Sequence, residues 1–276
     1  MKGIIQMDDD NFDIIDFRNE IDSLNPSNKK RLAEQFALAA LGSIPWIGGF
    51  LGAIANFKSE EGNIKLNSLQ TKWLEEHHKK LENLNSTLNV IAKRFEQLGE
   101  DINERLESEE YLDLVRKSFR VWNDADTQEK RQLVSNMITN AVSSKICSDD
   151  IIRLFIDWLN IYHEVHFQVI RIIYQNPGVT RYEIWMELHE IIPREDSAEA
   201  DLYKMLIRDL STGGVIRQAR NTTEDGQFLK QRHAPQAKRG TSTLESAFEN
   251  TKSYVLTELG KQFVHYTMNE VVTKLD

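Results

Sequence analysis

The sequence predicts a mainly α protein: an N-terminal helical bundle with one long amphipathic helix, then a smaller C-terminal module of helices with a short β wing. Three observations predict it. Apolar residues recur in steps of three and four from Leu74 to Ile102, which is the period of one helix face. No alternating strand pattern precedes residue 214. After His163 come three shorter helical patterns punctuated by Asn176-Pro177-Gly178 and Gly213-Gly214, and then two β-type stretches flanking a polar loop.

Composition sets the outer bounds. With 276 residues, 28% of them charged, the chain has material for one to three domains with substantial cores. A mean hydropathy of -0.48 is not that of a multispanning membrane protein. Lys2 is followed by Asp8, Asp9, Asp10, Asp13 and Asp16 rather than by an apolar stretch, so a cytoplasmic location is expected in place of secretion. Cys147 is the only cysteine, which excludes an internal disulfide and a cysteine-based zinc site. A net charge of -9 argues against broad coating of nucleic acid.

The elements follow in order. Residues 1–25 read as an acidic segment, and residues 26–160 as a helical domain. Asn25-Pro26 is a helix start, because Asn caps free amides and Pro is tolerated at the first helical position. The helix runs through Leu32, Phe36, Leu38 and Leu41 into a stretch without Asp, Glu, Lys, Arg or His from Gln35 to Phe57. Pro45 with Gly42, Gly48, Gly49 and Gly52 breaks this apolar run into two arms around Ser43–Pro45. Three readings stay open for it: a core or oligomer interface, conditional membrane insertion, or a resident span, for which about 20 residues suffice. Pro45, Trp46, Gly48, Gly49, Phe50 and Leu51 are its candidate contact residues, the two aromatics being suited to a bilayer interface as well.

A heptad seam follows on a helix expected over residues 66–107, with Leu81, Leu84, Leu88, Ile91, Phe95 and Leu98 as its inner face. It serves either an intramolecular bundle or a coiled coil between subunits. His77 occupies a seam position, where its titration would make the contact pH-sensitive. Tyr111, Leu112, Val115, Phe119 and Trp122 form a further stripe, Asp126 with Glu129 reads as a capping box, and Ser148 as a cap.

Residues 161–276 form the second module. Thr180 with Glu183 caps a short helix, and Asp196 with Glu199 opens a third that closes at Gly213-Gly214. The stretches DLSTGGVIRQAR and YVLTELGKQFVHY resemble the third-helix-to-wing junction and the closing strand and helix of winged-helix domains. That resemblance implies either DNA binding through the third helix and wing or a protein-contact role. Between Val215 and Gly240, Arg217, Arg220, Lys230, Arg232, Lys238 and Arg239 stand against Glu224 and Asp225, an excess of four positive charges suited to phosphate. On the third helix Glu195, Asp196, Glu199, Asp201 and Asp209 sit around Lys204 and Arg208 and oppose that use, so nucleic-acid binding is expected to be weak.

No chemistry-bearing motif emerges. A phosphate loop is absent, His163 and His166 with Glu164 nearby could share a helix face and hold a metal but at a spacing that chance supplies easily, so a packed histidine pair is expected, and Glu187, His189 and Glu190 read as surface groups. No catalytic, cofactor-binding or metal-binding residue is assigned, and the chain is read as a non-enzyme. The stretches RKSFRVWNDADTQEKRQLVSNMITNAV and DDIIRLFIDWLNIYHEVHFQVIRIIYQNPG are similar to the abortive-infection-alpha family of bacterial phage-defence proteins, over roughly residues 35–175. The resemblance implies an antiviral defence protein whose helical half oligomerises or disturbs the inner membrane on activation, under control of a sensing or partner-binding winged helix. The expected partners are a second copy of the chain or another protein. Two alternatives remain: a DNA-binding regulator with a helical dimerisation domain, and a soluble adaptor subunit of a defence complex.

Overall fold

The computed structural model describes residues 28–59, 68–99, 101–229 and 245–269. Among these the protein is mainly helical, with eleven helices and a small three-stranded sheet. The acidic segment 1–25 and the Asn25-Pro26 helix start lie outside the described residues. The chain divides into two compact units, Met1–Asn160 with Asn269–Asp276, and Ile161–Met268.

In the first unit, α1 spans Asn28–Gly42 and α2 spans Pro45–Ser59. The Ser43 hydroxyl donates to the Ala40 carbonyl at 2.7 Å, and Pro45 starts the next helix without needing an amide partner. The two arms are bent by 93°. Helix α3, Ser68–Leu98, is 31 residues long and so roughly 46 Å. The helix expected to reach residue 107 ends here, because Gly99 adopts a left-handed φ of 79°, and the chain resumes as α4, Asn103–Glu107.

Ser108 then caps α5, Glu109–Asp124, by accepting from the Tyr111 amide at 3.3 Å. For α6, Gln128–Ser143, the capping side chain is Thr127 rather than the expected Asp126, with the Lys130 amide donating to its hydroxyl at 3.3 Å. Helix α7 covers Asp149–Ile161. Helix α1 packs along α4 and α5, while α6 packs against α3 and α5. At the centre, the Phe36 ring meets Phe95 and Phe119 edge-on at 5.2 and 5.9 Å. Tyr111 is fully buried and donates to the Ile138 carbonyl at 3.0 Å, and burial pushes its hydroxyl far above the ordinary tyrosine range. Each buried Phe or Leu contributes about 1.5–3 kcal/mol, so this apolar centre is what holds the unit together.

The second unit contains α8 (Glu164–Gln175), β1 (Val179–Thr180), α9 (Arg181–Leu188), α10 (Ala198–Thr212), β2 (Ile216–Gln218), β3 (Ser253–Leu256) and α11 (Glu258–Thr267). The strands pair antiparallel in the order β1-β3-β2, with Val179 opposite Tyr254 and Ile216 opposite Leu256. The sequence predicts two strands here. The third, β1, has only two residues and so offers no alternation to read.

Local chemistry fixes the joints of this unit. Thr180 and Glu183 cap α9 reciprocally, the Thr180 amide donating to the Glu183 carboxylate at 2.8 Å. Ser197, not Asp196, caps α10, because Arg194 engages both Asp196 oxygens at 2.8 Å. The Thr257 hydroxyl donates to the Gly214 carbonyl at 2.6 Å and accepts from the Gly260 amide at 2.9 Å. A Cβ on Gly260 would collide with the Val215 carbonyl. The L-T-x-x-G spacing is therefore a close approach of α11 to the end of α10.

Candidate functional site

Two faces of α2 divide the apolar run. Ile47 and Phe50 point inward with Ile44 just before the helix, and Phe50 is 1% exposed. The Trp46 indole N–H donates to Asn123 Oδ1 at 2.7 Å, tying α2 to α5. His77 of α3 is buried between these aromatics, 5.0 Å from the Trp46 ring and stacked 6.1 Å from Phe50. Pro45, Gly48, Gly49, Leu51 and Gly52 are exposed. A Cβ added at Gly48, Gly49 or Gly52 would meet nothing within 4 Å, so packing within the chain does not demand these glycines. Among the described residues no single helix is long and apolar enough to cross a membrane, but Arg31–Gly42 and Pro45–Gly52 together have the length and composition of a broken span.

The seam of α3 is used internally. Leu81, Leu84, Leu88 and Ile91 are buried in the first unit, while Phe95 and Leu98 are half-buried. Arg94 adds a 2.7 Å hydrogen bond to Asn136 of α6. Glu82, Asn85, Ser86, Asn89, Val90 and Lys93 line a shallow polar depression along the same helix.

Of the basic wing, Arg217 and Arg220 are described, whereas Lys230, Arg232, Lys238 and Arg239 lie outside the described residues. After β2 the chain forms a narrow hairpin. Thr222 pairs with Phe228, the Leu229 amide donates to Asn221 O at 2.9 Å, and Gly226 turns the chain at φ 76°. The Arg217 guanidinium lies 4.9 Å from the centre of the Phe228 ring, and Phe228 is still 51% exposed.

A groove of the second unit has no periodic signature in the sequence. Between α9 and the first half of α10 lies a groove of about 630 Å³. Trp185, Tyr203 and Leu206 form its floor, Leu188, Ile191 and Leu202 its walls, and Glu190 and Glu199 contribute carboxylates. Phe248 braces the floor from behind, stacked on Tyr203 at 5.7 Å and edge-on to Trp185 at 5.0 Å. The Trp185 indole N–H donates to the Ile191 carbonyl at 2.9 Å, which pins the loop after α9. Ile191 is 78% exposed and Leu202 50%. The signal available in the sequence was Ile191-Ile192 before Pro193, two apolar residues with no helix face to join.

Polar contacts hold this architecture. Glu195 accepts from the Ala247 amide at 3.0 Å and from the Ser246 hydroxyl, delivering Phe248 to its place. Desolvation would raise the Glu195 pKa, but these bonds and Lys204 outweigh it and hold the carboxyl below its ordinary range. The Glu199 carboxyl is also held low, by its own backbone amide and then by Ser197. Tyr203 donates to the Arg181 carbonyl at 2.7 Å. The His163 amide donates to His166 Nδ1 at 3.1 Å, and the His166 ring stacks on Tyr162, so this pair is built into the start of α8. Among the described residues no group of three or more His, Cys, Asp or Glu side chains converges as a metal site. No family model, curated protein or solved structure matches this chain.

Proposed function

We propose that this chain is a non-enzymatic interaction protein of the abortive-infection type, in which the C-terminal unit is a winged helix that docks protein rather than DNA. The order helix, strand, helix, helix, strand, strand, with the sheet order β1-β3-β2, supports the winged-helix reading. The single observation that carries the protein-contact role is the solvent face of α10. A helix seated in a DNA groove lies between two rows of phosphates and needs neutral or basic groups there. Here Glu199, Asp201 and Leu202 are exposed at its start, next to an apolar groove, while Lys204 is paired with Glu195 and the exposed Arg208 stands beside Asp209. Such a face repels phosphate and favours an apolar partner surface. The defence assignment rests on the sequence resemblance.

The test is binding to random duplex DNA by fluorescence anisotropy. The expected dissociation constant is about 10 μM or weaker at physiological salt, with little change on neutralising Arg217 and Arg220. Sequence-selective nanomolar binding would replace this reading with that of a transcriptional regulator. A second reading concerns the first unit: the bent pair α1–α2 has the composition of a broken span, which supports a membrane-disturbing response once the hairpin leaves its core.

A further inference from the structure

We infer that the acid-lined groove between α9 and α10 takes the wing hairpin of a second copy of this chain. The inference rests on the protein-contact reading of the C-terminal unit and names the partner. The groove offers an aromatic and aliphatic floor with Glu190 and Glu199 among its lining residues and no lysine or arginine. The hairpin offers the reverse chemistry: Phe228 and Leu229, about half exposed, beside Arg217 and Arg220. Arg217 already lies over the Phe228 ring, so an apolar and a cationic group are presented together. Glu224 and Asp225 lie toward the turn, beyond the Thr222–Phe228 bridge from both arginines.

Both surfaces belong to one compact unit, and Ile191, Leu202, Phe228 and Leu229 all remain exposed there. The hairpin therefore does not fill its own groove. In trans, the aromatic ring enters the apolar floor while the guanidinium groups meet the carboxylates, removing apolar surface from water on both sides and pairing the charges at the rim. Two copies that exchange hairpins satisfy both grooves at once, the self-complementary arrangement of a two-fold dimer.

The experiment is a reciprocal charge swap in the full chain, followed by sedimentation velocity up to about 100 μM, a range that detects micromolar dissociation constants. One variant carries Glu190→Lys with Glu199→Lys; the other carries Arg217→Glu with Arg220→Glu. Each variant alone sets like charges against like, and self-association is expected to weaken by about tenfold or more. An equimolar mixture restores opposite charges at both contacts and is expected to regain the dimer mass. Phe228→Ser, which keeps every charge, is expected to weaken association too.

A wild-type chain that stays monomeric overturns the inference, as does a pair of variants that associate like wild type or fail to recover on mixing. The DNA-binding measurement separates the two levels. A monomer that ignores DNA sinks the self-docking alone, whereas tight selective DNA binding removes the reading beneath it.

Discussion

Two apolar regions of this chain end in opposite places. From Gln35 to Phe57 the sequence carries no charge, yet Phe36, Ala40, Ile44, Ile47 and Phe50 are buried within the first unit. From Glu183 to Leu206, EIWMELHEIIPREDSAEADLYKML is crowded with charge, yet it leaves Ile191 and Leu202 open beside a groove. Hydropathy measures how much apolar surface a segment has. Where that surface goes is decided by what the rest of the chain can lay against it, and α3, α4 and α5 supply partners to the first region that the second does not find.

The sharpest way to break this comparison is to put a charge on each face of α2. Phe50→Asp replaces a buried ring with a carboxylate in the aromatic cluster of Trp46 and His77 and should cost about 4 kcal/mol or more, enough to unfold the first unit in a thermal melt. Gly49→Asp adds a side chain where nothing stands within 4 Å and should change stability by only about 0.5 kcal/mol. Growth arrest in cells, and dye release from anionic vesicles, then report on lipid or partner contact alone. If Gly49→Asp folds and acts like wild type, the exposed glycine face has no external role, and the membrane reading of the hairpin falls with it.

A smaller effect sharpens the other side. Ser197 caps the helix that forms one wall of the groove, accepting from the Ala200 amide at 3.2 Å. Ser197→Ala should cost about 1 kcal/mol in urea unfolding of the full chain. Asp196→Ala should cost less, because Asp196 pairs with exposed Arg194 and does not cap the helix. The reverse order would show that the helix opens at Asp196 with Glu199, as the sequence predicts.

The cap at Ser197 marks what a sequence can carry. Periodicity located the seam of α3 because Leu81, Leu84, Leu88 and Ile91 repeat over whole turns, and a reciprocal pair such as Thr180 and Glu183 is a local device with a local signature. The end of α3 at Gly99 has no such signature, because the apolar spacing continues through Ile102 while a single glycine takes the left-handed turn. At Thr127 and Ser197 the cap lies one residue beyond the acid that the sequence points to, because an acid and a hydroxyl are neighbours and only geometry chooses between them. The groove was illegible for a different reason: its floor joins Trp185, Tyr203 and Phe248, which are brought together by the fold across some sixty residues.

The smallest expected effect concerns how that floor is braced. Glu195 is exposed, but its carboxylate holds the Ser246 hydroxyl and the Ala247 amide, and its pKa lies below the ordinary 4.5. A carboxyl with a depressed folded pKa contributes stability that is present above its unfolded value and is lost as pH falls through the folded value. Urea unfolding of the wild type should therefore lose more stability between about pH 6 and pH 3.5 than unfolding of Glu195→Gln, which cannot titrate there. The two curves should approach each other as the pH falls through the folded value, where the wild-type carboxyl takes up its proton. Parallel curves over the whole range would mean that the segment ending at Phe248 is held by its ring contacts with Trp185 and Tyr203 alone, and that the groove floor keeps its shape without the charge.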